Sequence, residues 1–300
     1  MSLVLALSGG ATLAAAGRVA ECLEVAVDQL EARRFPDGES LVRAPRCAST
    51  TILYGSLDHP DRKLVCLLLA AAALRDLGAR RLVLVAPYLC YMRQDRAFRS
   101  GEAISQRVVG GLLAERFDRI VTVDPHLHRI SLMAEALPGI EAYALAAAPL
   151  KPDALGKDPR TPPLVVGHDA ESRPWVEAVA GPKNLDMIVA EKKRASDRSV
   201  EIEVPDPDRV RDRRVVIVDD IVSSGATIVR LARVLKNAGA SSVEAMVTHC
   251  LASHDDLGTL REAGVARIVA TDSVAGADRL DEVIALAPLL ARSLMKEIVP

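Results

Sequence analysis

The chain has 300 residues, of which 50% are hydrophobic and 26% are charged, and its formal net charge is −2. This length allows two hydrophobic cores, since single cores stop growing at roughly 250 to 300 residues, and it predicts a globular protein of two domains. The near-neutral charge excludes a general attraction to nucleic acid or membranes, so we expect a small-molecule partner bound by locally clustered basic residues.

The five cysteines are scattered without the spacing of a zinc site or a disulfide framework, which favours a reducing, cytoplasmic location. The N-terminal segment has no basic start, and its apolar run ends at Gly9 and Gly10. It therefore predicts a first strand and turn rather than a secretory signal. No apolar run approaches the roughly 18 residues that a membrane span requires.

Short apolar runs alternate with helical patterns along both halves of the chain, which predicts parallel sheets flanked by helices. Strands are predicted at residues 3–7, 51–54, 82–86 and 120–123, then at 164–166, 187–190, 200–204, 215–218, 243–247 and 267–270. Helices are predicted at residues 12–23, 62–77, 105–117, 173–180, 227–238 and 256–263. The polar, Pro-rich segment 151–163 is typical of an exposed connection, and we place the domains at 1–145 and 146–300.

Two motifs lie in the first half. The sequence Phe35-Pro36-Asp37-Gly38-Glu39 has the turn chemistry of a hairpin tip. The segment 87–96, which follows the strand at 82–86, contains Arg93, Gln94 and Arg96. The two guanidinium groups could hold polyphosphate oxygens, although an exposed charged loop is the alternative.

Candidate metal or phosphate ligands end two further strands. Asp124, His126 and His128 follow the strand at 120–123, and Asp169 follows the strand at 164–166. Magnesium takes few protein carboxylates and completes its shell with substrate phosphates and water, so Asp169 is a candidate ligand. All four residues could equally be solvated loop residues.

The basic segment 191–196 is predicted to begin a hairpin. Alternate residues of an extended chain share one face, so Lys192 and Arg194 point together while Lys193 points away. This spacing predicts a cationic clamp, and a solvated basic hairpin is the alternative.

The most informative segment is 215–228, in which a buried strand enters Asp219-Asp220 and then the turn Ser223-Ser224-Gly225-Ala226-Thr227 at the start of a helix. Free amides, hydroxyls and the positive end of the helix dipole favour a phosphate at this turn. The acidic pair could accept hydrogen bonds from the hydroxyls of a sugar. Simple helix capping would explain the serines and the threonine, but not the adjacent carboxylates.

This last segment resembles the ribose-5-phosphate loop of the type I phosphoribosyltransferase fold. The five motifs together, in this order, resemble the ribose-phosphate diphosphokinase family over nearly the whole chain, most closely its shorter, archaeal-type branch. The resemblance implies two phosphoribosyltransferase-like domains related by pseudo-twofold symmetry. It further implies Mg²⁺-dependent transfer of the diphosphoryl group of ATP to the C1 hydroxyl of ribose 5-phosphate, giving phosphoribosyl diphosphate and AMP.

The resemblance also implies a role for each matched position. ATP would be bound by Arg93, Gln94 and Arg96, joined by Phe35, Asp37 and Glu39 of a neighbouring subunit, which implies a homo-oligomer. Magnesium would be held by His126 and Asp169. The ribose hydroxyls would contact Asp219 and Asp220, the 5-phosphate would contact Ser223, Ser224, Gly225, Ala226 and Thr227, and Lys192 and Arg194 would be catalytic.

The chain departs from the family where His168-Asp169-Ala170-Glu171-Ser172 replaces the usual Pro-Asp-x-Gly-Gly. The loss of both glycines opposes a close approach of phosphate to that loop. Two rival interpretations stay open. One is a phosphoribosyltransferase that consumes the diphosphate product, and the other is a non-catalytic paralogue that regulates active subunits.

Overall fold

The computed structural model describes residues 2–127, 132–150, 154–155, 161–196, 199–276 and 279–298, and of residues 192–196 and 199–201 it describes the backbone alone. The chain divides into two compact units. Unit 1 comprises residues 1–145, 273–275 and 285–300, and unit 2 comprises residues 146–272 and 276–284. No helix among the described residues is long and apolar enough to cross a membrane.

Unit 1 is built on a six-stranded parallel sheet with the order β2-β1-β5-β6-β7-β8. Strands β3 and β4 form a separate antiparallel hairpin. The strands are β1 Ser2–Ala6, β2 Ala26–Gln29, β3 Glu31–Arg34, β4 Ser40–Arg43, β5 Thr50–Tyr54, β6 Arg81–Ala86, β7 Arg119–Val123 and β8 Glu141–Leu145. The helices are α1 Ala11–Leu23, α2 Pro60–Asp76, α3 Ser105–Ala114 and α4 Met133–Ala136. The C-terminal segment adds helix α8, Ala287–Leu294, which is numbered in chain order after the three helices of unit 2.

Unit 2 repeats this plan. Its parallel sheet has the order β10-β9-β13-β14-β15-β16, and β11 and β12 form an antiparallel hairpin. The strands are β9 Leu164–Gly167, β10 Met187–Val189, β11 Glu191–Ser196, β12 Ser199–Glu203, β13 Arg214–Val222, β14 Ser242–Cys250, β15 Val265–Thr271 and β16 Glu282–Ile284. The helices are α5 Arg173–Ala180, α6 Ala226–Asn237 and α7 His254–Glu262.

The two sheets confirm the predicted fold class, and the sequence explains why they form. The central strands are continuous Val, Ile and Leu runs that are buried on both faces, as parallel sheets covered by helices require. Helix α6 buries Ile228, Leu231, Ala232 and Leu235 against the sheet, which is the spacing of one helical face.

The C-terminal residues 285–300 belong to unit 1, whereas the sequence analysis assigned all of 146–300 to the second domain. An ion-pair network within unit 1 contributes to this placement. Glu297, which is 3% exposed, accepts hydrogen bonds from Arg81 Nε at 2.5 Å and from Arg119 at 2.7 Å. Arg119 is itself 2% exposed and also donates to the backbone oxygen of Ser293 at 3.0 Å. No local pattern in the sequence links residues so far apart.

The network sets the protonation of Glu297. Burial alone would raise the pKa of this carboxyl, but the hydrogen bonds from Arg81 and Arg119 outweigh it and hold the pKa below its usual value. The carboxylate is therefore charged at neutral pH, and its removal would leave the guanidinium of Arg119 buried without this partner.

We predict that Glu297→Ala destabilises the protein by roughly 3 kcal/mol at pH 7, because breaking a buried pair leaves one buried charge without its partner. Urea unfolding followed by circular dichroism measures this free energy. Glu21→Ala, on the exposed face of α1, is the matched control and should change stability by less than about 0.5 kcal/mol. Because the folded-state pKa of Glu297 is depressed, its contribution should be lost as the pH falls below the usual glutamate range. Equal effects of the two substitutions would contradict the proposed contribution of this network to the free energy of unfolding.

Candidate active site

The adjacent carboxylates of unit 2 lie near the carboxyl end of β13, between β9 and β14. Asp219 is 6% exposed and Asp220 is 2% exposed. The backbone N–H of Asp220 donates to Asp219 Oδ1 at 2.9 Å. The predicted strand therefore continues through the acidic pair to Val222 rather than ending before it.

The turn after β13 forms a small cavity of about 90 Å³, which Asp219 lines together with residues 221–228. Gly225 ends the turn with a φ of 71°, in the left-handed region that favours glycine, and a Cβ at this position would lie 3.2 Å from the side chain of Leu260. Helix α6 begins at the next residue, and no side chain caps its N-terminus. The first amides of the helix are thus available to an anion.

The cavity brings Asp219 and the predicted phosphate-binding residues Ser223, Ser224, Gly225, Ala226 and Thr227 to one wall. Asp220 does not line this cavity, although it is the neighbour of Asp219 in sequence. Neighbouring residues of a strand point to opposite faces, which explains why only one of the two carboxylates lines the cavity.

His168 is a site residue that the sequence analysis did not assign. It lies at the end of β9, which pairs with β13, and its ring contacts two carboxylates. The Nε2 atom lies 3.0 Å from Asp169 Oδ2, and the Nδ1 atom lies 3.3 Å from Asp219 Oδ2. The usable signal was its place at the end of a strand beside β13, since carboxyl ends of neighbouring parallel strands meet at one edge of a sheet.

The environment of Asp219 changes its protonation. Burial raises the pKa of Asp219 to about 7, nearby His168 opposes this rise, and Asp220 adds to it. Near neutral pH the carboxyl group therefore exists in both forms, and it could donate a hydrogen bond to a hydroxyl as well as accept one.

Asp169 is 9% exposed and caps the short 3₁₀ turn that follows β9. Its Oδ1 atom accepts hydrogen bonds from the backbone N–H groups of Glu171 at 3.0 Å and Ser172 at 3.2 Å. Gly167 makes room for this turn, because a Cβ there would lie 2.2 Å from Ser172 Oγ. Glu171 and Ser172 stand where the sequence comparison expects two glycines, and their backbone N–H groups donate to Asp169.

Within the described part of the chain, no group of three or more His, Cys, Asp or Glu residues could hold a metal ion by itself. Asp169 in unit 2 and His126 in unit 1 are both described, and His128 lies outside the described residues. A single carboxylate such as Asp169 fits Mg²⁺, whose remaining ligands in such sites are substrate phosphates and water.

The predicted ATP-binding loop of unit 1 follows β6. Buried Cys90 and Met92 anchor it, while Arg93 and Arg96 are exposed. Gln94 Oε1 accepts a hydrogen bond from Ser105 Oγ at 3.0 Å, at the start of α3. The guanidinium of Arg96 lies 5.1 Å from the ring centre of Phe98, which is 61% exposed. Two exposed guanidinium groups on an anchored loop suit a polyphosphate.

Phe35, Asp37 and Glu39 lie at the tip of the β3–β4 hairpin, as the turn chemistry predicted. The N–H of Phe35 donates to the backbone oxygen of Glu39 at 2.8 Å, and the N–H of Glu39 donates to Asp37 Oδ1 at 3.1 Å. Gly38 has a φ of 98°, which closes the turn. The side chains of Asp37 and Glu39 are exposed.

Lys192 and Arg194 lie on β11, the first strand of the second hairpin, and their side chains lie outside the described residues. The backbone pairs Lys192 with Ile202 and Arg194 with Val200. Because the segment is a strand, these two residues share one face and Lys193 lies on the other.

These observations define a protein with two phosphoribosyltransferase-type domains, the second of which has a small cavity at an uncapped helix start. Residues 4–116 match the N-terminal domain of ribose phosphate pyrophosphokinase, and residues 141–267 match the phosphoribosyl transferase domain. The ribose-phosphate pyrophosphokinase of Methanopyrus kandleri is 34% identical, with 91% of this chain and 92% of that protein covered. That of Saccharolobus solfataricus is 32% identical, with 89% and 92% covered.

A solved structure agrees with the relatives. The crystal structure of phosphoribosylpyrophosphate synthetase from Mycobacterium smegmatis gives a TM-score of 0.83 at 27% identity, covering 98% of this chain and 97% of that chain. The chain therefore belongs to the ribose-phosphate pyrophosphokinase family, also called ribose-phosphate diphosphokinase, and it is an enzyme. The resemblance stated from the motifs is confirmed.

We predict that Asp219→Asn removes a pH dependence of stability. The pKa of Asp219 in the folded protein, about 7, lies above its ordinary value of 3.8, so the folded state holds this proton more tightly than the unfolded chain does. Its favourable contribution is complete below about pH 4 and is lost as the pH rises to 7. Between pH 4 and pH 8, the free energy of unfolding of the variant should therefore rise by roughly 2 to 4 kcal/mol relative to that of the wild type.

Urea unfolding of both proteins in metal-free buffer across this pH range measures the difference. Asp208→Asn is the matched control, because Asp208 is exposed and paired only with Arg211 in the described structure. A difference between Asp219→Asn and wild type that stays constant with pH would contradict the raised pKa.

Proposed function

We propose that the chain transfers the diphosphoryl group of Mg-ATP to the C1 hydroxyl of ribose 5-phosphate, giving phosphoribosyl diphosphate and AMP for nucleotide biosynthesis. The observation that carries the proposal is the cavity of about 90 Å³ at the uncapped start of α6, with buried Asp219 on its wall. A phosphate monoester fits its size and charge, and a carboxyl group beside it suits a sugar hydroxyl.

The sugar phosphate would be held by complementary parts of this turn. The amides at the start of α6 and the hydroxyls of Ser223, Ser224 and Thr227 would bind the 5-phosphate. Asp219 and Asp220 would contact the ribose hydroxyls, with Asp219 closest to the phosphate because it lines the cavity. A phosphate placed directly against Asp219 would be repelled by its charge, so the pentose must separate the two.

ATP would bind through Arg93, Gln94 and Arg96. The guanidinium forks are always charged and match phosphate oxygens in two-point contacts. Phe35, Asp37 and Glu39, on the tip of the first hairpin, would reach the adenine end of ATP in a neighbouring subunit. The active enzyme is then a homo-oligomer.

Asp169 in unit 2 and His126 in unit 1 would each be a magnesium ligand, with phosphate oxygens completing the coordination shell. Bound there, the ion would neutralise charge on the polyphosphate. His168 contacts both Asp169 and Asp219 and so orients the two carboxyl groups relative to each other.

The reaction would be an in-line displacement. The C1 oxygen of the sugar forms a bond to the β-phosphorus of ATP, the bond from that phosphorus to the α-phosphate oxygen breaks, and AMP leaves. The hydroxyl proton passes to solvent or to a basic group. Negative charge spreads over the phosphate oxygens in the transition state, and Lys192 and Arg194 on β11 would stabilise it.

An assay of AMP formation tests the function. We expect one AMP and one phosphoribosyl diphosphate for each ATP consumed, and no AMP when ribose 5-phosphate or Mg²⁺ is omitted. Ser224→Glu places a negative charge in the phosphate-binding turn and should abolish the reaction. A folded wild-type chain that forms no AMP, or that instead consumes phosphoribosyl diphosphate with a nucleobase, would overturn the proposal.

We predict that Lys192→Ala and Arg194→Ala each lower kcat by roughly 10²- to 10³-fold with little change in KM, since contacts that strengthen in the transition state affect turnover. Steady-state kinetics with both substrates measures this. Lys193→Ala is the matched control, because it removes the same charge type from the opposite face of β11. Losses confined to KM, or equal losses in Lys193→Ala, would contradict the catalytic role.

One observation favours a second candidate, a non-catalytic regulatory paralogue of this enzyme. The amides of Glu171 and Ser172 are bonded to Asp169, so they do not point to a phosphate as a glycine loop would. Under this alternative the chain would produce no AMP alone and would alter the rate of an active ribose-phosphate diphosphokinase when mixed with it. The AMP assay separates the two candidates.

A further inference from the structure

A cavity of about 770 Å³ in unit 1 is lined by residues outside the ATP-binding loop at 87–96. Its walls come from the turn after β1, the β3–β4 hairpin, the segment after β5 and the first turn of α2. Volumes of 300 to 1,000 Å³ are typical of sites for small metabolites.

The cavity occupies the place in unit 1 that corresponds to the sugar-phosphate turn in unit 2. Both units run through the same order of strand, helix, strand, hairpin and central strand: β1, α1, β2, β3–β4 and β5 in one, and β9, α5, β10, β11–β12 and β13 in the other. The turns after β1 and β5 thus correspond to the turns after β9 and β13. Ligands of such sheets bind at the carboxyl ends of the strands.

The charge of the lining is positive. Within the cavity, Lys63 is paired with Asp58 at 2.6 Å, and Glu31 is paired with Arg43 at 2.6 Å. Among the described residues no carboxylate pairs with Arg33 or Arg62, which also line the cavity. Two guanidinium groups without carboxylate partners favour an anionic ligand.

Polar and apolar features of the lining favour a compact ligand. The Oγ atom of Ser56 is buried and has no hydrogen-bond partner among the described residues. Gly9 keeps the turn after β1 open, since a Cβ there would lie 3.0 Å from Gln29 Oε1. Leu7, Leu30 and Leu41 supply apolar walls beside these polar groups.

We propose that this cavity is a second ligand site, which binds a small phosphate ester through Arg33, Arg62 and Ser56. It does not repeat the catalytic site, because β5 ends in Leu53 and Tyr54, where β13 carries Asp219 and Asp220. Arg33 lies on β3 and Arg62 on α2, so a bound phosphate bridges the hairpin to the first turn of α2. Binding would therefore hold the β3–β4 hairpin in place.

Hydrogen exchange of the full chain tests the proposal with inorganic phosphate, ribose 5-phosphate and AMP as three separate probes. Ser224→Glu is the background, because it blocks the turn in unit 2 and leaves the cavity intact. We expect at least one probe to protect residues 55–63 in a saturable way, together with residues 31–34 and 40–43. Protection of the hairpin alone would instead report the proposed ATP site and would overturn the proposal. Protection by inorganic phosphate assigns the site to the phosphoryl group alone, and protection by one ester only assigns it to that ester.

Substitutions in the same background test the two cations. Arg33→Ala and Arg62→Ala should each weaken binding about tenfold, the value of one charge-assisted hydrogen bond. Arg116→Ala, an exposed arginine at the end of α3, is the matched control and should leave the affinity unchanged. All three side chains are exposed, so the variants should keep the wild-type Tm.

The absence of protection by all three probes would overturn the proposal. Equal affinity for the wild-type cavity and the Arg33→Ala and Arg62→Ala variants would overturn it as well. The measurement is made in an inactive background, so its outcome does not depend on the enzymatic reaction.

Discussion

The burial of two adjacent carboxylates in a central parallel strand is the constraint on which the site depends. Moving a carboxylate out of water is costly, and continuous apolar residues of β13 surround this position within the sheet. The contact from His168 and the amide of Asp220 offset part of that cost, yet the pKa of Asp219 still rises to about 7. A ligand that offers hydroxyl groups would satisfy the remaining hydrogen-bonding capacity. Under the proposed function, a bound sugar would recover part of the stability that burial of Asp219 costs the protein.

The same constraint explains how two similar units can have different tasks. Both sheets have the same strand order, and both place loops at the carboxyl ends of the strands. In unit 2 the central strand carries Asp219 and Asp220 near its end and leads into a turn that Gly225 closes. In unit 1 the corresponding strand ends in Leu53 and Tyr54, and Pro60 begins the helix that follows. The fold therefore sets where ligands bind, and a few residues at the strand ends decide which groups they present.

Strong periodicity allowed the core elements to be predicted, whereas three of the four edge strands of the two large sheets gave no usable signal. Strands β6 and β13 and helix α6 were predicted from long apolar patterns, and each is present. The edge strands β2, β8 and β16 were missed, because their residues are mixed or exposed and a half-covered short strand has weak alternation. The pairing of Glu297 with Arg119 was also missed, because it joins residues 178 positions apart and no local pattern encodes it.

In the candidate site, too, local features were predicted from the sequence and contacts between distant residues were not. The turn 223–227 was predicted because the strand, acids, small residues and helix follow one another in sequence. The role of His168 was missed because its contact with Asp219 depends on the pairing of β9 with β13, which are far apart in the chain. The same role was predicted for Asp219 and Asp220 from the sequence, whereas in the structure only Asp219 of the two lines the cavity. Contacts across strands thus require the sheet order, while contacts within one turn do not.

The two hairpins show why cations are placed on elements with little packing of their own. A two-stranded hairpin is marginally stable alone, and the side chains of β3 are all exposed, so unit 1 holds its hairpin mainly through contacts of β4 with α2. Arg33 and Arg34 on β3 are exposed, which avoids the cost of burying unpaired charge. A phosphate bound as proposed, between Arg33 on β3 and Arg62 on α2, would supply contacts that the hairpin lacks. Ligand binding and the order of this hairpin would then be linked, because a ligand that binds only the ordered hairpin stabilises it.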